Sequence, residues 1–275
     1  MNRIILLIII SLSLSTGLVK SQDHIDDSRS LEKLFKRLVN NYDDNDRIRI
    51  NDSIRTIIDG YVESDSVFNH RFNNLKYLGQ IKPANSTLKI ITWNLVLRNA
   101  PGVYYCYFIR KAEPGVKNKI FRLSVPYSKK PVNTNSIYSE SEWYGAMYYD
   151  FKYYKSDDEN YWVLLGIDYG NPDISRKIID VLTFSSEDSI KFGKRLFSTG
   201  TDVKHREVFE YASNGMMSLR FRTDSTIVFD HLVPFSPANK NDRQYYGPDY
   251  SYDAYQLKKS GLWHLEINVD ARNEE

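Results

Sequence analysis

Apolar and polar positions follow two different periods along this chain. From Leu31 to Tyr61 the apolar residues recur every three or four positions: Leu31, Leu34, Phe35, Leu38 and Val39, then Ile50, Ile54, Ile57, Ile58 and Tyr61. That spacing lays each set along one stripe of a helix. It predicts a first helix capped by Ser28 or Ser30 and ended by the polar run Asn40–Asn45, and a second from Asp46 to about Val62, with Gly60 near its stop. From Thr87 the pattern turns to β-branched and aromatic runs separated by turn residues, and stays so. Strands are expected near Leu88–Val96, Val103–Arg110, Ile120–Val125, Trp143–Tyr154, Tyr161–Asp168, Arg176–Phe184, Val203–Tyr211, Met217–Arg222, Thr226–Val233, Ala254–Lys258 and Trp263–Val269.

The centre of this pattern is Glu142–Phe184. Its aromatic run Trp143–Tyr154 and its apolar run Tyr161–Asp168 flank the polar break at Ser156–Asn160, which reads as an antiparallel hairpin, with Ile178–Phe184 pairing nearby. Many short strands in sequence with no long helical pattern between them argue for mainly antiparallel pairing. The expected fold is therefore mainly β (α+β). Two N-terminal helices precede an antiparallel multi-stranded sandwich, open barrel or propeller-like meander. Three segments follow from the same pattern: a signal segment at 1–21, a helical segment at 22–82 and a mainly-β domain at 83–275.

The first of these rests on the N-terminus. Arg3 precedes Ile4–Ile10, a Ser/Leu stretch follows, and Val19 and Ser21 suit a signal-peptidase cut before Gln22. The apolar core is shorter than the ~20 residues a membrane span needs. The 37 basic and 35 acidic residues of the whole chain become 35 against 35 once Arg3 and Lys20 leave with residues 1–21. A neutral mature chain offers no long-range attraction to nucleic acid, and after cleavage it is not expected to span a membrane. With 41% hydrophobic and 14% aromatic residues it can bury a sizeable core. Cys106, the only cysteine, sits in the run Val103–Ile109 and reads as a small buried hydrophobe.

Several strings carry a resemblance. They are Ile91-Thr92-Trp93-Asn94, Trp143–Tyr149, Leu164–Asp168, Arg176–Leu182, Ile227–Leu232 and Tyr246–Asp253. Together, over about Thr87 to Trp263, the chain resembles an uncharacterised family of exported Bacteroidota proteins. The resemblance implies an envelope location, periplasmic or cell-surface, and carries over no catalytic residue and no cofactor.

Candidate chemistry is sparse. There is no HExxH, no Gly-x-Ser-x-Gly elbow and no Gly-rich phosphate loop, and no cofactor is expected. Asp180 and Asp230 each interrupt an apolar β run. Facing one cleft, they are candidates for the acid and base of a glycosidase-like hydrolysis. Held apart, each pairs with an Arg (Arg176, Arg220 or Arg222) or with backbone N–H groups. Asp168, Asn171 and Asp173 place oxygens around Gly170 as a weak Ca²⁺ candidate, against which an ordinary turn is the simpler reading. Tyr245–Tyr255 holds five Tyr with Gly, Pro and Asp. Tyr246, Asp249, Tyr252 and Asp253, with Trp143 from the central run, are the candidate ligand-binding residues, the alternative being a packed loop. The function expected is an exported envelope binding or structural module, its partner a glycan, a peptide or another envelope protein. A hydrolase using sheet carboxylates is the alternative.

Overall fold

The computed structural model describes residues 26–270 apart from positions 85, 158 and 186–188; the expected signal segment at 1–21 lies outside the described residues. Helix α1 spans 26–40 and α2 spans Asp44–Val62. The first already includes Ser28 and Ser30, so neither is its cap. The second is capped by Asp43, whose carboxylate accepts from Asp46 N at 2.8 Å. Gly60 does not stop α2, because Tyr61 and Val62 beyond it are buried and hold the last turn in place.

Four strands follow as an antiparallel meander: β1 (Gly79–Ile81), β2 (Leu88–Leu95), β3 (Val103–Arg110) and β4 (Lys119–Pro126). Alternation along β2 and β3 sends Ile91, Trp93, Tyr105 and Tyr107 to one face, where Ile50, Ile54 and Ile58 of α2 cover them. Trp93 Nε1 donates to Asn51 Oδ1 at 3.0 Å, so this buried indole is satisfied. Lys89 is buried under the helical segment, with Nζ donating to Tyr61 OH, Val67 O (2.7 Å) and His70 O (2.8 Å). Burial lowers its pKa to about 7. The opposite face of the sheet carries Ile90, Tyr104, Cys106 and Phe108. Cys106 is fully buried there, as expected, and burial pushes its thiol pKa well up.

That second face rests on a middle sheet built from β5 (Tyr138–Ser139), β6 (Met147–Tyr154), β7 (Tyr161–Asp168), β8 (Ile174–Phe184) and β9 (Ile190–Phe192), in the order β5-β9-β8-β7-β6. Phe151, Trp162, Leu164, Ile178 and Leu182 face the first sheet. Their neighbours Tyr161, Val163, Leu165, Ile179 and Val181 face the other way. Burial on both faces is why these strands read as unbroken apolar runs rather than alternating ones.

A third sheet covers the far side. It contains β10 (Phe197–Ser198) and β11 (Val203–Lys204). The chain then leaves it as β12 (Glu207–Ala212) to pair with β8, and returns as β13 (Leu219–Phe221), β14 (Thr226–Pro234), β15 (Tyr246–Leu257) and β16 (Trp263–Glu266). The order is β11-β10-β16-β15-β14-β13, with β10–β16 the one parallel pair among the described ladders. Ile227, Phe229, Tyr255 and Trp263 close the core against the middle sheet. The molecule is mainly β with two N-terminal helices, arranged as one helical layer and three successive sheets.

Candidate functional site

The strands β14 and β15 pair regularly from Thr226↔Gln256 to Asp230↔Tyr252, and then the register jumps to Leu232↔Pro248. Asp249, Tyr250 and Ser251 therefore bulge opposite the single residue His231. The sequence builds this locally. Gly247 lets the chain pass under Phe235, since a Cβ there would lie 2.7 Å from the ring. Asp249 Oδ1 accepts from Ser251 N (3.0 Å) and Ser251 Oγ (2.7 Å), closing a tight turn and holding its carboxyl below the usual range. Tyr250 at the crest has φ 71°, a conformation unusual for a bulky residue, and its side chain is 95% exposed. Bulges of this kind re-aim side chains and are over-represented next to sites.

At the foot of the bulge, His231 Nδ1 lies 2.7 Å from Asp253 Oδ2, and Asp253 Oδ1 accepts from Asn268 N at 3.1 Å. An ionised carboxylate only accepts, so Nδ1 carries the proton and the neutral ring keeps Nε2 as an acceptor. Asp253 is buried, while the imidazole is 40% exposed. A buried acid thus fixes the orientation of a ring that solvent reaches.

The pair opens onto a cleft of about 330 Å³ between β12 and the β14–β15 hairpin. Phe209 and Phe229 form an aromatic wall with ring centroids 4.5 Å apart, continued by Leu232 and Leu265. Glu207, on the same face of β12 as Phe209, is already matched to donors: its Oε1 accepts from Tyr255 OH (2.6 Å) and Lys204 Nζ (2.9 Å). Glu210 turns to the opposite face of β12, where Oε1 accepts from Arg176 Nε (2.8 Å). Burial, reinforced by the Glu207 charge, pushes the Tyr255 phenol pKa up, so it stays a donor. Arg243 stands at the rim.

The residues singled out from sequence scatter. Asp230 borders this cleft, but its side chain shares the outer face with its cross-strand partner Tyr252, and Oδ2 accepts from Ser218 N at 2.7 Å, a backbone partner rather than an Arg. Asp180 does not reach it. Its side chain is wholly buried between the first two sheets, 3.2 Å from Arg206 Nε, and also accepts from Tyr144 OH (2.7 Å) and Val181 N (2.7 Å). Burial raises its pKa, and the Arg206 charge and these bonds oppose the rise. The two carboxylates therefore do not converge, and the partner of Asp180 is Arg206 instead of Arg176, Arg220 or Arg222. The expected strand Val203–Tyr211 breaks at Arg206, where His205 N and Arg206 N both turn to Thr134 O.

Trp143 is a correction. It lies before β6 rather than in it, is 3% exposed, and donates Nε1 to Tyr148 OH at 3.1 Å, so it offers no stacking face. Tyr246 is also buried, its OH donating to Lys240 O (2.6 Å) and its ring under the Arg243 guanidinium at 4.2 Å. Tyr252 is half-buried against Val228 and Ala254 on the outer face of the third sheet. Of the Tyr-rich segment, Asp249 and Asp253 flank His231, and the exposed aromatics are Tyr245 and, most of all, Tyr250. In the weak Ca²⁺ loop, Asp168 Oδ2 is spent on Arg176 Nη1 (2.9 Å), and Asn171 Oδ1 accepts from Asp173 N (2.9 Å) as an ordinary Asx turn. No group of three or more His, Cys, Asp or Glu poised for a metal occurs among the described residues. Sequence reasoning missed the His231–Asp253 pair, Phe209 and Glu207. The strand signal of β15 was masked at Gly247 and Pro248, and with that strand in hand Asp253 falls beside His231. No family model and no curated protein matches this chain, and no solved structure matches its fold.

Proposed function

We propose that the protein is an exported binding module of the cell envelope that takes a small, neutral, polyhydroxylated ligand, such as one ring of a glycan, in the cleft beside His231. The observation that carries this is the cleft's mixed character: the Phe209–Phe229 wall lies beside an oriented imidazole and the matched acid Glu207. An aromatic wall suits the C–H face of a sugar ring, while His231 Nε2 and Arg243 suit its hydroxyls. Glu207 is paired with Lys204, which disfavours a highly charged ligand. A volume near 330 Å³ is at the small end of ligand sites. Asp180, sealed away with Arg206, supplies no second carboxylate for hydrolysis here. The N-terminal pattern of Arg3, Ile4–Ile10 and Ser21 and the resemblance to exported proteins support the envelope setting.

Titration of the folded mature chain by calorimetry against a panel of mono- and oligosaccharides tests the reading. Saturable binding is expected, weakened at least tenfold by His231→Ala and by Phe209→Ala. A folded protein that binds no member at millimolar concentration overturns it. For export, protein from the envelope fraction should begin at Gln22, and an intact Met1 would count against that part.

A further inference from the structure

A larger groove lies elsewhere, about 630 Å³ along the outer edge of the middle sheet. Its floor is a run of consecutive residues, Phe151–Lys155, at the end of β6. Among the described ladders β6 pairs on one side only, with β7. Near its start β6 is covered, for a Cβ on Gly79 of β1 would lie 3.6 Å from Tyr148 O. Further along, the edges of the first and middle sheets part, and Pro83, Ala84, Ser86 and Thr87 on one side and Asp224 on the other become the walls of an open slot.

The two walls differ. Toward the first sheet stand Tyr153, 45% exposed, and Trp162, their rings 5.1 Å apart. Toward the third stand Lys152, paired with Asp224, and Tyr154, whose OH donates to Asp224 O at 2.8 Å. The edge itself supplies backbone groups. Phe151 N donates to its neighbour's carboxylate, Asp150 Oδ1, at 2.8 Å, so it points away from β7. Two residues on, the N–H and C=O of Tyr153 face the same way into the slot. Asp150 blunts the edge at Phe151, as charged residues do on exposed strands. Nothing comparable is bonded to the Tyr153 backbone among the described residues.

We propose that this slot is a strand-addition site: an extended peptide pairs with the outer edge of β6, turning apolar side chains toward Tyr153 and Trp162 and polar ones toward Lys152 and Asp224. Outward backbone donors and acceptors on a two-residue repeat match another strand and nothing ring-shaped, and pockets for alternate side chains then give selectivity. Lys152 and Lys155 against the single Asp224 favour neutral or acidic residues at the polar positions. The site is independent of the saccharide cleft, and failure of either reading leaves the other standing.

Selection of a phage-displayed library of linear heptapeptides on the folded mature chain provides the probe. Enriched sequences should alternate apolar with neutral or acidic residues. In a synthetic copy of the best one, N-methylation of the amides facing β6 should weaken binding at least tenfold, and methylation of the intervening amides less than threefold. Hydrogen exchange at the Tyr153 amide should slow on binding, and Tyr153→Pro, which deletes that donor, should lower affinity at least tenfold. If Tyr153→Pro fails to fold, the methylation series decides alone. No enrichment, equal tolerance of methylation at both sets of amides, or protection of β6 arising only from self-association of the chain would each overturn the proposal.

Discussion

Two side-chain pairs, Asp180–Arg206 and Asp253–His231, each place a buried acid on a long strand of this protein, yet they belong to different kinds of structure. Arg206 is filled on every side. Its Nη1 donates to Asn133 O (2.6 Å) and Ser136 O (2.7 Å), its Nη2 to Phe192 O (3.0 Å), and its Nε faces Asp180. The Tyr138 and Tyr144 rings cover it at 4.6 and 5.4 Å. Neither charge is exposed at all, and the pair clasps the 133–136 loop to β8 and β9. His231 is also oriented by a buried acid, but one face of its ring has only the cleft in front of it. A buried ion pair closed in on every side by protein groups is a fastener. One with an acceptor left over beside an aromatic wall is equipped to hold something else.

The comparison breaks most readily at Arg206. Arg206→Met leaves Asp180 buried without its charge partner and should cost about 3–5 kcal/mol in urea denaturation. A loss below about 1 kcal/mol would show that the clasp contributes little. Asp180→Asn keeps the shape and should cost less, about 1.5–3 kcal/mol. Leu164→Ala, on the face of β7 shared with the first sheet, should cost about 2–5 kcal/mol by lost burial and cavity. It calibrates what an uncharged position in the same layer is worth.

Lys89 sharpens the comparison by pH. Its pKa is about 7 when folded, against roughly 10.4 unfolded. Between those values the unfolded chain binds the extra proton, so stability should rise with pH, by about 1.4 kcal/mol per unit, and be flat in this respect below pH 7. Lys89→Met should remove that slope, as read from denaturation midpoints across pH 6.5–9.5. The smallest effect belongs to the cleft. His231→Gln should change stability by less than about 1 kcal/mol, because the pair is part-exposed and screened. If it destabilises the fold as much as Arg206→Met, the two pairs are the same device.

The long strands were legible because burial on both faces leaves unbroken runs: β3 and β7 begin and end where the apolar pattern of Val103–Arg110 and Tyr161–Asp168 does. The two- and three-residue strands β1, β5, β9 and β10 were not, since so few residues show no period. The first half of β15 was hidden for a different reason. Gly247 and Pro248 are turn residues by habit, and here they serve a bulge inside a strand. Asp180 was legible as a buried acid. Its partner was not, because Arg206 reaches it from a chain break between β11 and β12, a relation that only the packing of the sheets creates.

The layered order of the sheets also sets a sequence of events for a chain that emerges from its N-terminus. Helices and first sheet are complete by Pro126, the middle sheet arrives next, and the last cover comes only with β13–β16. Until then Val163, Leu165, Ile179 and Val181 present a bare apolar face bounded by strand edges, the kind of surface that recruits other copies. The segment from Leu219 to Glu266 thus supplies the cover that the middle sheet lacks until then. A chain cut short before β14 should accumulate as aggregate even with the first two layers formed.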